Sequence, residues 1–199
     1  MADNTEQYQW IVRLVSNLRV LLKDQVAFIA GDLLWYPVQV EEPPAPSQAP
    51  DVMVVLGRPM KYRGSYKQWE EENIAPQVVF EILSPSNSAS ELTQKQNFYV
   101  QHGVLEMYVY DPINYEFWGL VRSELAEAPR LITPLNLPWI SPTLGIEFKL
   151  FNDGLTVFYP NGNVFKDPEE ILKQSDETQQ KLDRAWAKLR ELGIDPEAL

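Results

Sequence analysis

The chain has 199 residues, of which 45% are hydrophobic and 12% aromatic, so it can bury one good core. It contains no cysteine, which excludes disulfides and thiolate metal sites, and its formal net charge of −11 disfavours broad, nonspecific nucleic-acid binding. No stretch is long and apolar enough to span a bilayer, and the first residues lack the pattern of a secretory signal. We therefore expect a soluble cytoplasmic protein.

The first quarter of the chain combines a helix with short strands and a proline-rich loop. Aliphatic side chains recur at helical spacing over residues 5–23, which predicts an amphipathic helix that covers the core. Short strands are predicted at 26–29 and 33–36, and a buried strand is predicted at 52–56. Residues 41–50 are a loop, because proline supplies no amide hydrogen and fixes its own φ.

A long loop at residues 57–75 mixes basic and aromatic side chains. Such a mixture can grip phosphates and stack bases. It is also common in ordinary surface loops whose aromatic side chains anchor them to the domain. The candidate nucleic-acid-binding residues in this loop are Arg58, Lys61, Arg63 and Lys67.

The run at 78–83 consists of β-branched, aromatic and aliphatic residues around a single acid, Glu81. Its composition predicts a central strand that is covered on both faces. A carboxylate in that position loses hydration, so it needs a cation or hydrogen-bond donors nearby unless it is protonated. A purely structural role explains Glu81 poorly, which makes it the leading candidate for a functional site.

The next segment, 90–102, has a helical pattern, and a strand at 105–110 completes a strand–helix–strand unit. Because the main stripe of this helix should face the sheet, we predict that Lys95 points towards the strand that carries Glu81. Alternatively, Lys95 pairs with Glu91, which lies four residues earlier on the same helix face. The stripe consists of Leu92, Lys95, Phe98, Tyr99 and His102.

After residue 112, the sequence predicts a strand at 115–121, a further ordered segment at 139–144, and hairpin turns at 152–154 and 161–162. These turns carry the Asn, Asp and Gly residues that tight hairpins need. No internal repeat stands out.

A final helix is marked by its start signals: Asp167 as N-cap, Pro168 at the first helical position, and Glu170 three residues after the cap. Gly193 can end this helix. Its four-three spacing defines a coiled-coil seam that is polar in its first half. The helix either packs back on the domain or pairs with a second copy. The seam residues are Ile171, Ser175, Thr178, Leu182, Ala185, Leu189 and Leu192.

Three residues, Asp51, Glu81 and Lys95, suggest a common chemistry. Two carboxylates that converge from adjacent strands suit a hard divalent cation such as magnesium, which takes oxygen ligands. A nearby lysine can orient or deprotonate an attacking water and offset negative charge during phosphodiester hydrolysis. Asp51 alone is equally an ordinary residue at a loop-to-strand junction.

At these residues the sequence resembles the Uma-two family of restriction endonucleases, a branch of the PD-(D/E)xK nuclease superfamily. The resemblance rests on Pro50-Asp51, on EILSPS around Glu81, on Lys95 within ELTQKQNFY, and on GVLEMYVYDP, and it covers about residues 21–151. It implies an α/β (α+β) fold. We expect a restriction endonuclease-like core with a mixed central sheet flanked by helices, together with extra β-hairpins and a C-terminal helix.

The resemblance also implies roles for individual residues. Asp51 and Glu81 would bind magnesium or manganese, and the backbone carbonyl of Ile82 would be a further ligand. Lys95 would orient the attacking water. Leu83 stands where the parent superfamily motif has its lysine, so the lysine of this branch is relocated to the helix.

An additional acid from an earlier element is common in such nucleases. The predicted first helix offers only Glu6, near its start, and Asp32 is a substitute from the following turn. If neither residue reaches the site, metal affinity should be weak.

We therefore predict a metal-dependent endonuclease that acts on DNA, with a nuclease domain at 1–166 and a C-terminal helix at 167–199 that forms a homodimer. The alternative is a catalytically inactive nuclease-fold domain that serves as a nucleic-acid-binding or protein-interaction module. The net charge of −11 and the incomplete set of acids favour this alternative.

Overall fold

The computed structural model describes residues 3–191, and internal contacts divide the chain into two units, Met1–Phe165 and Lys166–Leu199. The first unit contains α1 (Thr5–Leu21), β1 (Ala27–Gly31), β2 (Trp35–Tyr36), β3 (Val52–Leu56), β4 (Tyr66–Lys67), β5 (Val78–Ile82), α2 (Ala89–Gln101), β6 (Glu106–Asp111), β7 (Glu116–Val121), β8 (Arg130–Ile132), β9 (Trp139–Ile140), β10 (Glu147–Phe151) and β11 (Gly154–Phe158), and short 3-10 turns at Gln68–Glu70 and Pro134–Asn136. The second unit contains α3 (Pro168–Glu191).

The core of the first unit is a six-stranded sheet with the strand order β1-β3-β5-β6-β7-β8. Strands β5 and β6 are parallel and are connected through α2, whereas the other neighbours are antiparallel. Strands β9, β10 and β11 form a smaller antiparallel sheet, and β2 and β4 form a parallel pair. The predicted fold class, a mixed central sheet with flanking helices and extra hairpins, is confirmed.

Side chains of the central strands alternate between two apolar clusters, one on each face of the sheet. Val52 and Phe80 contribute to the cluster that includes α1, β10 and β11. Met53 and Val79 contribute to the cluster that includes α2. All residues of β5 are buried, and the alternation places Glu81 on the α2 face.

Several element boundaries differ from the predicted ones. The first helix ends at Leu21 rather than 23, and the strand predicted at 33–36 is limited to Trp35–Tyr36. In the segment 139–144, only Trp139–Ile140 forms a strand. The chain then turns, and the hydroxyl of Ser141 and the amide of Thr143 donate hydrogen bonds to the buried carboxylate of Glu106.

Both predicted hairpin turns are present. The first joins β10 to β11, and Gly154 at its end has a φ of 123°, which an L-residue rarely adopts. In the second turn the amide of Tyr159 donates to the carbonyl of Asn163 at 2.7 Å, and Gly162 has a φ of 83°. Glycine is therefore needed at both positions.

The C-terminal helix begins at the predicted residue, Pro168, and the amide of Asp167 donates to the carboxylate of Glu170 at 3.4 Å. The seam residue Leu182 is 41% exposed. The predicted stop at Gly193, and Leu192 of the seam, lie outside the described residues. None of the helices within residues 3–191 has the length and apolar character that a membrane crossing requires.

The basic loop at 57–75 is organised around one buried carboxylate, that of Glu71, which is 4% exposed. Arg58 Nε, Lys61 Nζ and Arg63 Nε lie 3.0, 2.9 and 2.8 Å from its oxygens. Hydrogen bonds from Arg63 and the other two cations lower the pKa of Glu71 to about 2. We refer to these four residues as the Glu71 cluster.

Replacing Glu71 by glutamine should lower the free energy of unfolding by about 2 kcal/mol at neutral pH, because three cations lose their shared carboxylate. The pKa of Glu71 in the folded chain, about 2, lies below its ordinary value of 4.5. The stabilisation is therefore present above pH 4.5 and is lost as the pH falls towards 2. Urea unfolding of the wild type and of Glu71→Gln at a series of pH values measures how this stabilisation depends on pH.

The matched control is Glu70→Gln, since Glu70 is 59% exposed and pairs with Lys67 at 3.2 Å on the surface. Exposed pairs of this kind contribute less than about 1 kcal/mol. Equal losses of stability in the two variants would contradict the assigned role of Glu71.

Candidate active site

The pairing of β3 with β5 brings two acidic residues together. Val52 pairs with Phe80 in this antiparallel ladder, so Asp51 and Glu81, one step further along, are neighbours across the strands. The Asp51 carboxylate accepts a hydrogen bond from the amide of Ile82 at 2.7 Å. Burial raises the pKa of Asp51, although this hydrogen bond opposes the rise. The two acids are thus adjacent across the ladder, and the charge of Asp51 contributes to raising the pKa of Glu81.

Glu81 is 3% exposed, and both of its carboxylate oxygens have partners. Lys95 Nζ lies 2.6 Å from Oε2, and the Tyr99 hydroxyl donates to Oε1 at 2.5 Å. Burial raises the pKa of Glu81 to about 7, against the opposing effects of Lys95 and Tyr99. Glu81 is therefore harder to ionise than an exposed glutamate.

Helix α2 directs Lys95 inward, as the stripe predicted. The helix begins with a capping box in which the Glu91 carboxylate accepts from the Ser88 amide at 3.0 Å and from the Ser88 hydroxyl at 2.9 Å. Glu91 is thereby held at the helix start, and the ammonium of Lys95 contacts Glu81 instead. Burial opposes the charge on Lys95, but the Glu81 carboxylate outweighs it and raises the pKa of Lys95.

Helix α1 contributes a side chain that sequence reasoning missed. Gln7 is 4% exposed, and its Nε2 donates to the Ile82 carbonyl at 2.8 Å. The same nitrogen lies 3.5 and 3.4 Å from the two Asp51 carboxylate oxygens. Glu6, the acid expected from this helix, is exposed. The inward position at the helix start is therefore occupied by an amide.

The chain before α1 brings a further acid to this region. The Asp3 carboxylate accepts hydrogen bonds from the hydroxyl of Ser84, at 2.8 Å, and from that of Ser86. These hydroxyls lower the pKa of Asp3, that of Ser86 having the larger effect. Asp3 and the serine loop after β5 therefore form one rim of the site.

Asp32, the substitute acid, lies in a turn with a φ of 49°, where its amide donates to the Asp51 carbonyl at 3.1 Å. Its charge contributes to raising the pKa values of both Asp51 and Lys95. Asp32 therefore affects the electrostatics of the site. A role for it as a metal ligand stays a prediction.

A cavity of about 520 Å³ opens beside Glu81 and Lys95. A larger and more apolar cavity, of about 670 Å³, runs along α1 and is lined by neither of these two residues. The 520 Å³ cavity is the one that both Glu81 and Lys95 line, so we place the candidate site there. Its lining consists of Asp3, Gln48, Glu81, Leu83, Ser86, Asn87, Glu91, Leu92, Gln94 and Lys95.

The donor atoms near this cavity suit a hard cation. They are the carboxylates of Asp51 and Glu81 and the carbonyl of Ile82, all of them oxygens, and of these three residues Glu81 lines the cavity itself. Such a set fits magnesium or manganese, which accept few protein oxygens and keep several waters. Within residues 3–191, no group of three or more His, Asp or Glu side chains is arranged to hold a metal ion.

The predicted nucleic-acid contacts lie in the 57–75 loop, and none of them lines the 520 Å³ cavity. Arg58 and Arg63 are largely buried in the Glu71 cluster, with side chains 13% and 4% exposed. Lys61 and Lys67 are 52% and 45% exposed. A role for these residues in binding nucleic acid stays a prediction.

The architecture places the chain among proteins of nuclease fold. It matches a solved structure described as that of a putative nuclease belonging to DUF820 from Anabaena variabilis, with a TM-score of 0.54 and 16% sequence identity. The match covers 73% of this chain and 76% of that chain, and at this identity it establishes the fold alone.

Sequence comparison makes the assignment more specific. The Uma2 family model, described as "Putative restriction endonuclease", matches residues 2–150, and the chain belongs to this family. The resemblance expected from EILSPS and GVLEMYVYDP is thereby confirmed. No curated protein matches the chain.

Replacing Tyr99 by phenylalanine removes the hydroxyl that donates to Glu81 and keeps the buried ring. We expect the pKa of Glu81 to rise above its value of about 7, because the charged form loses a donor. A carboxyl ¹³C NMR titration of glutamate-labelled protein measures this. Tyr62→Phe is the control, because Tyr62 is 95% exposed. An unchanged or lowered pKa in Tyr99→Phe would contradict the hydrogen-bond assignment.

Proposed function

We propose that the chain is a metal-dependent endonuclease that hydrolyses the phosphodiester bonds of DNA. The observation that carries this proposal is the contact of Lys95 with the buried Glu81, beside Asp51 and next to a cavity. Burying charged groups is costly, and such clusters of perturbed titratable groups concentrate at functional sites. Membership in the Uma2 family supports the same reaction class.

In this proposal, Asp51, Glu81 and the carbonyl of Ile82 hold a magnesium or manganese ion. When bound, the ion would supply positive charge close to the phosphate that is attacked. Asp51 is held in place by the amide of Ile82, so the carboxylate and the carbonyl ligand belong to one hydrogen-bonded unit. This unit needs little rearrangement to present its oxygens together.

Lys95 acts as a hydrogen-bond donor and a positive charge rather than as a base. Its pKa is raised, so the ammonium remains protonated near neutral pH. A protonated lysine can orient the attacking water and stabilise the negative charge that develops on the phosphate. It cannot accept the proton that the water releases.

The nucleic-acid contacts proposed for the basic loop divide into two kinds. Lys61 and Lys67 are about half exposed, so they are the residues suited to meet phosphates. Arg58 and Arg63 are more deeply buried, and they hold the loop through Glu71. The acidic charge of the whole chain makes such a local contact necessary.

The test is cleavage of supercoiled DNA, single-stranded DNA and RNA by the wild type, Glu81→Gln and Lys95→Met, with magnesium, manganese or chelator. We expect metal-dependent cleavage of DNA, reduced at least about 100-fold in both variants, because each loses a charge that acts in the transition state. Glu116→Gln and Lys23→Met are the matched controls, because both side chains are exposed.

Cleavage that persists equally in Glu81→Gln and Lys95→Met would overturn the proposed site. Cleavage of RNA alone would overturn the choice of DNA while leaving the site in place. Circular dichroism must show that each variant is folded, since Glu81 and Lys95 also stabilise each other.

The alternative is a catalytically inactive nuclease-fold domain that binds nucleic acid or a protein partner. It is favoured by the small number of acids at the site, since the described residues offer no three-residue metal cluster. Calorimetry with manganese separates the two proposals. Binding that is lost in Glu81→Gln favours the enzyme, and no binding by folded wild-type protein favours the alternative.

The proposed homodimer rests on the seam of α3, in which Leu182 is 41% exposed and Leu189 is half-buried. We expect Leu182→Asp combined with Leu189→Asp to convert a dimer into a monomer, because charge in a coiled-coil seam is unfavourable. Sedimentation equilibrium measures the mass. Gln180→Asp combined with Ala187→Asp adds the same charge off the seam and should leave the mass unchanged. Equal masses for the wild type and for the double variant at Leu182 and Leu189 would contradict the proposed dimerisation through α3.

A further inference from the structure

We infer that Gln7 is a ligand of the divalent cation at the proposed site and binds it through the side-chain oxygen Oε1. This inference rests on the proposed function, because it concerns the same cation. The metal ligands proposed so far come from β5 and from the residue immediately before β3. Gln7 adds a ligand from α1.

The first argument is the position of the Gln7 amide. Its Nε2 lies 2.8 Å from the carbonyl oxygen of Ile82 and 3.5 and 3.4 Å from the two carboxylate oxygens of Asp51. One partly positive NH₂ group therefore faces three acceptor oxygens. Two of the proposed metal ligands, Asp51 and Ile82, supply these oxygens, so Gln7 already lies against the proposed cation site.

The second argument is that an amide nitrogen cannot share these oxygens with a cation. The NH₂ group has no available lone pair and carries partial positive charge, so it cannot coordinate a metal and is repelled by one. A half-turn of the side-chain amide exchanges Nε2 for Oε1 without moving the helix. The oxygen that results is the kind of donor that magnesium and manganese accept.

The third argument is that this half-turn costs little. In the present orientation Oε1 of Gln7 accepts from the amide of Asp3 at 2.7 Å. Asp3 is exposed, so water can replace this acceptor after the turn. The backbone stays in place, because the N-cap side chain of Asn4 accepts from the amide of Gln7 at 2.9 Å.

The fourth argument is the absence of an acid at this position. Glu6 is exposed and Gln7 points inward, so α1 supplies a neutral oxygen where a carboxylate would add charge. A neutral ligand binds a divalent cation more weakly than a carboxylate does. Replacing Gln7 by glutamate should therefore strengthen binding, and replacing it by leucine should weaken it.

A simpler role for Gln7 makes the opposite prediction for leucine. If the amide only braces Asp51 and Ile82, its removal uncovers three oxygens, and metal affinity stays the same or increases. The leucine variant therefore separates a ligand from a brace. The glutamate variant tests whether the position lies within coordinating distance of the cation.

The experiment is calorimetric titration of manganese chloride into the full chain, for the wild type, Gln7→Glu, Gln7→Leu and Glu81→Gln. We expect binding to be about 10-fold tighter in Gln7→Glu and about 10-fold weaker in Gln7→Leu. Gln9→Leu is the matched control, because Gln9 is an exposed glutamine of the same helix, and it should bind like the wild type. Thermal unfolding followed by circular dichroism checks each fold.

A second measurement follows the Gln7 amide of the wild-type protein directly and needs a variant only to assign its signal. In ¹⁵N-labelled wild-type protein, the side-chain NH₂ signal of Gln7 is the one missing from the spectrum of Gln7→Glu. Titration with magnesium chloride should shift this signal, because the amide exchanges its partners. An unshifted Gln7 signal in protein that binds magnesium would overturn the inference.

The outcomes distinguish the inference from the proposed function. Manganese binding that is lost in Glu81→Gln but unchanged or tighter in folded Gln7→Leu overturns the role of Gln7 and leaves the proposed metal site intact. Binding that is equal in the wild type and Glu81→Gln overturns the proposed site itself. Weaker binding in Gln7→Leu together with tighter binding in Gln7→Glu supports the inference.

Discussion

The carboxylate of Glu81, buried in the middle of the central sheet, is the constraint on which the site depends. A charge in that position is costly unless it is paired and hydrogen-bonded. Both partners come from α2, where Lys95 and Tyr99 lie four residues apart and therefore on one face of the helix. The position of α2 along β5 is thus specified by a polar contact as well as by apolar packing.

Glu106, a further buried carboxylate, shows what a structural acid looks like in the same fold. Glu106 is 1% exposed and accepts hydrogen bonds from Tyr108, at 2.8 Å, and Ser141, at 2.5 Å, and from the amide of Thr143, at 2.6 Å. These donors are all neutral, and they tie the segment before β10 to the central sheet. Glu81 contacts a cation, as Glu71 does, but it differs from both Glu71 and Glu106 because it lines the 520 Å³ cavity.

The basic loop illustrates why composition is a weak guide to binding. Its alternation of basic and aromatic side chains is typical of nucleic-acid contacts, yet three of its cations surround Glu71. Glu71 belongs to the same loop, but its burial depends on how the loop folds over the sheet. The sequence shows which charges are present, whereas tertiary packing decides which of them are exposed.

The sequence alone determined the central strand, the inward direction of Lys95 and the family, because these depend on local periodicity and on short runs of residues. Only the tertiary structure brought Gln7 and Asp3 to the site. Gln7 meets Asp51 and Ile82 across 44 and 75 positions of the chain. No local pattern records such a contact. The periodicity of α1 shows only that Gln7 lies one helical turn before Ile11, on the same face of the helix. Which residues Gln7 contacts depends on how α1 packs against the end of β5.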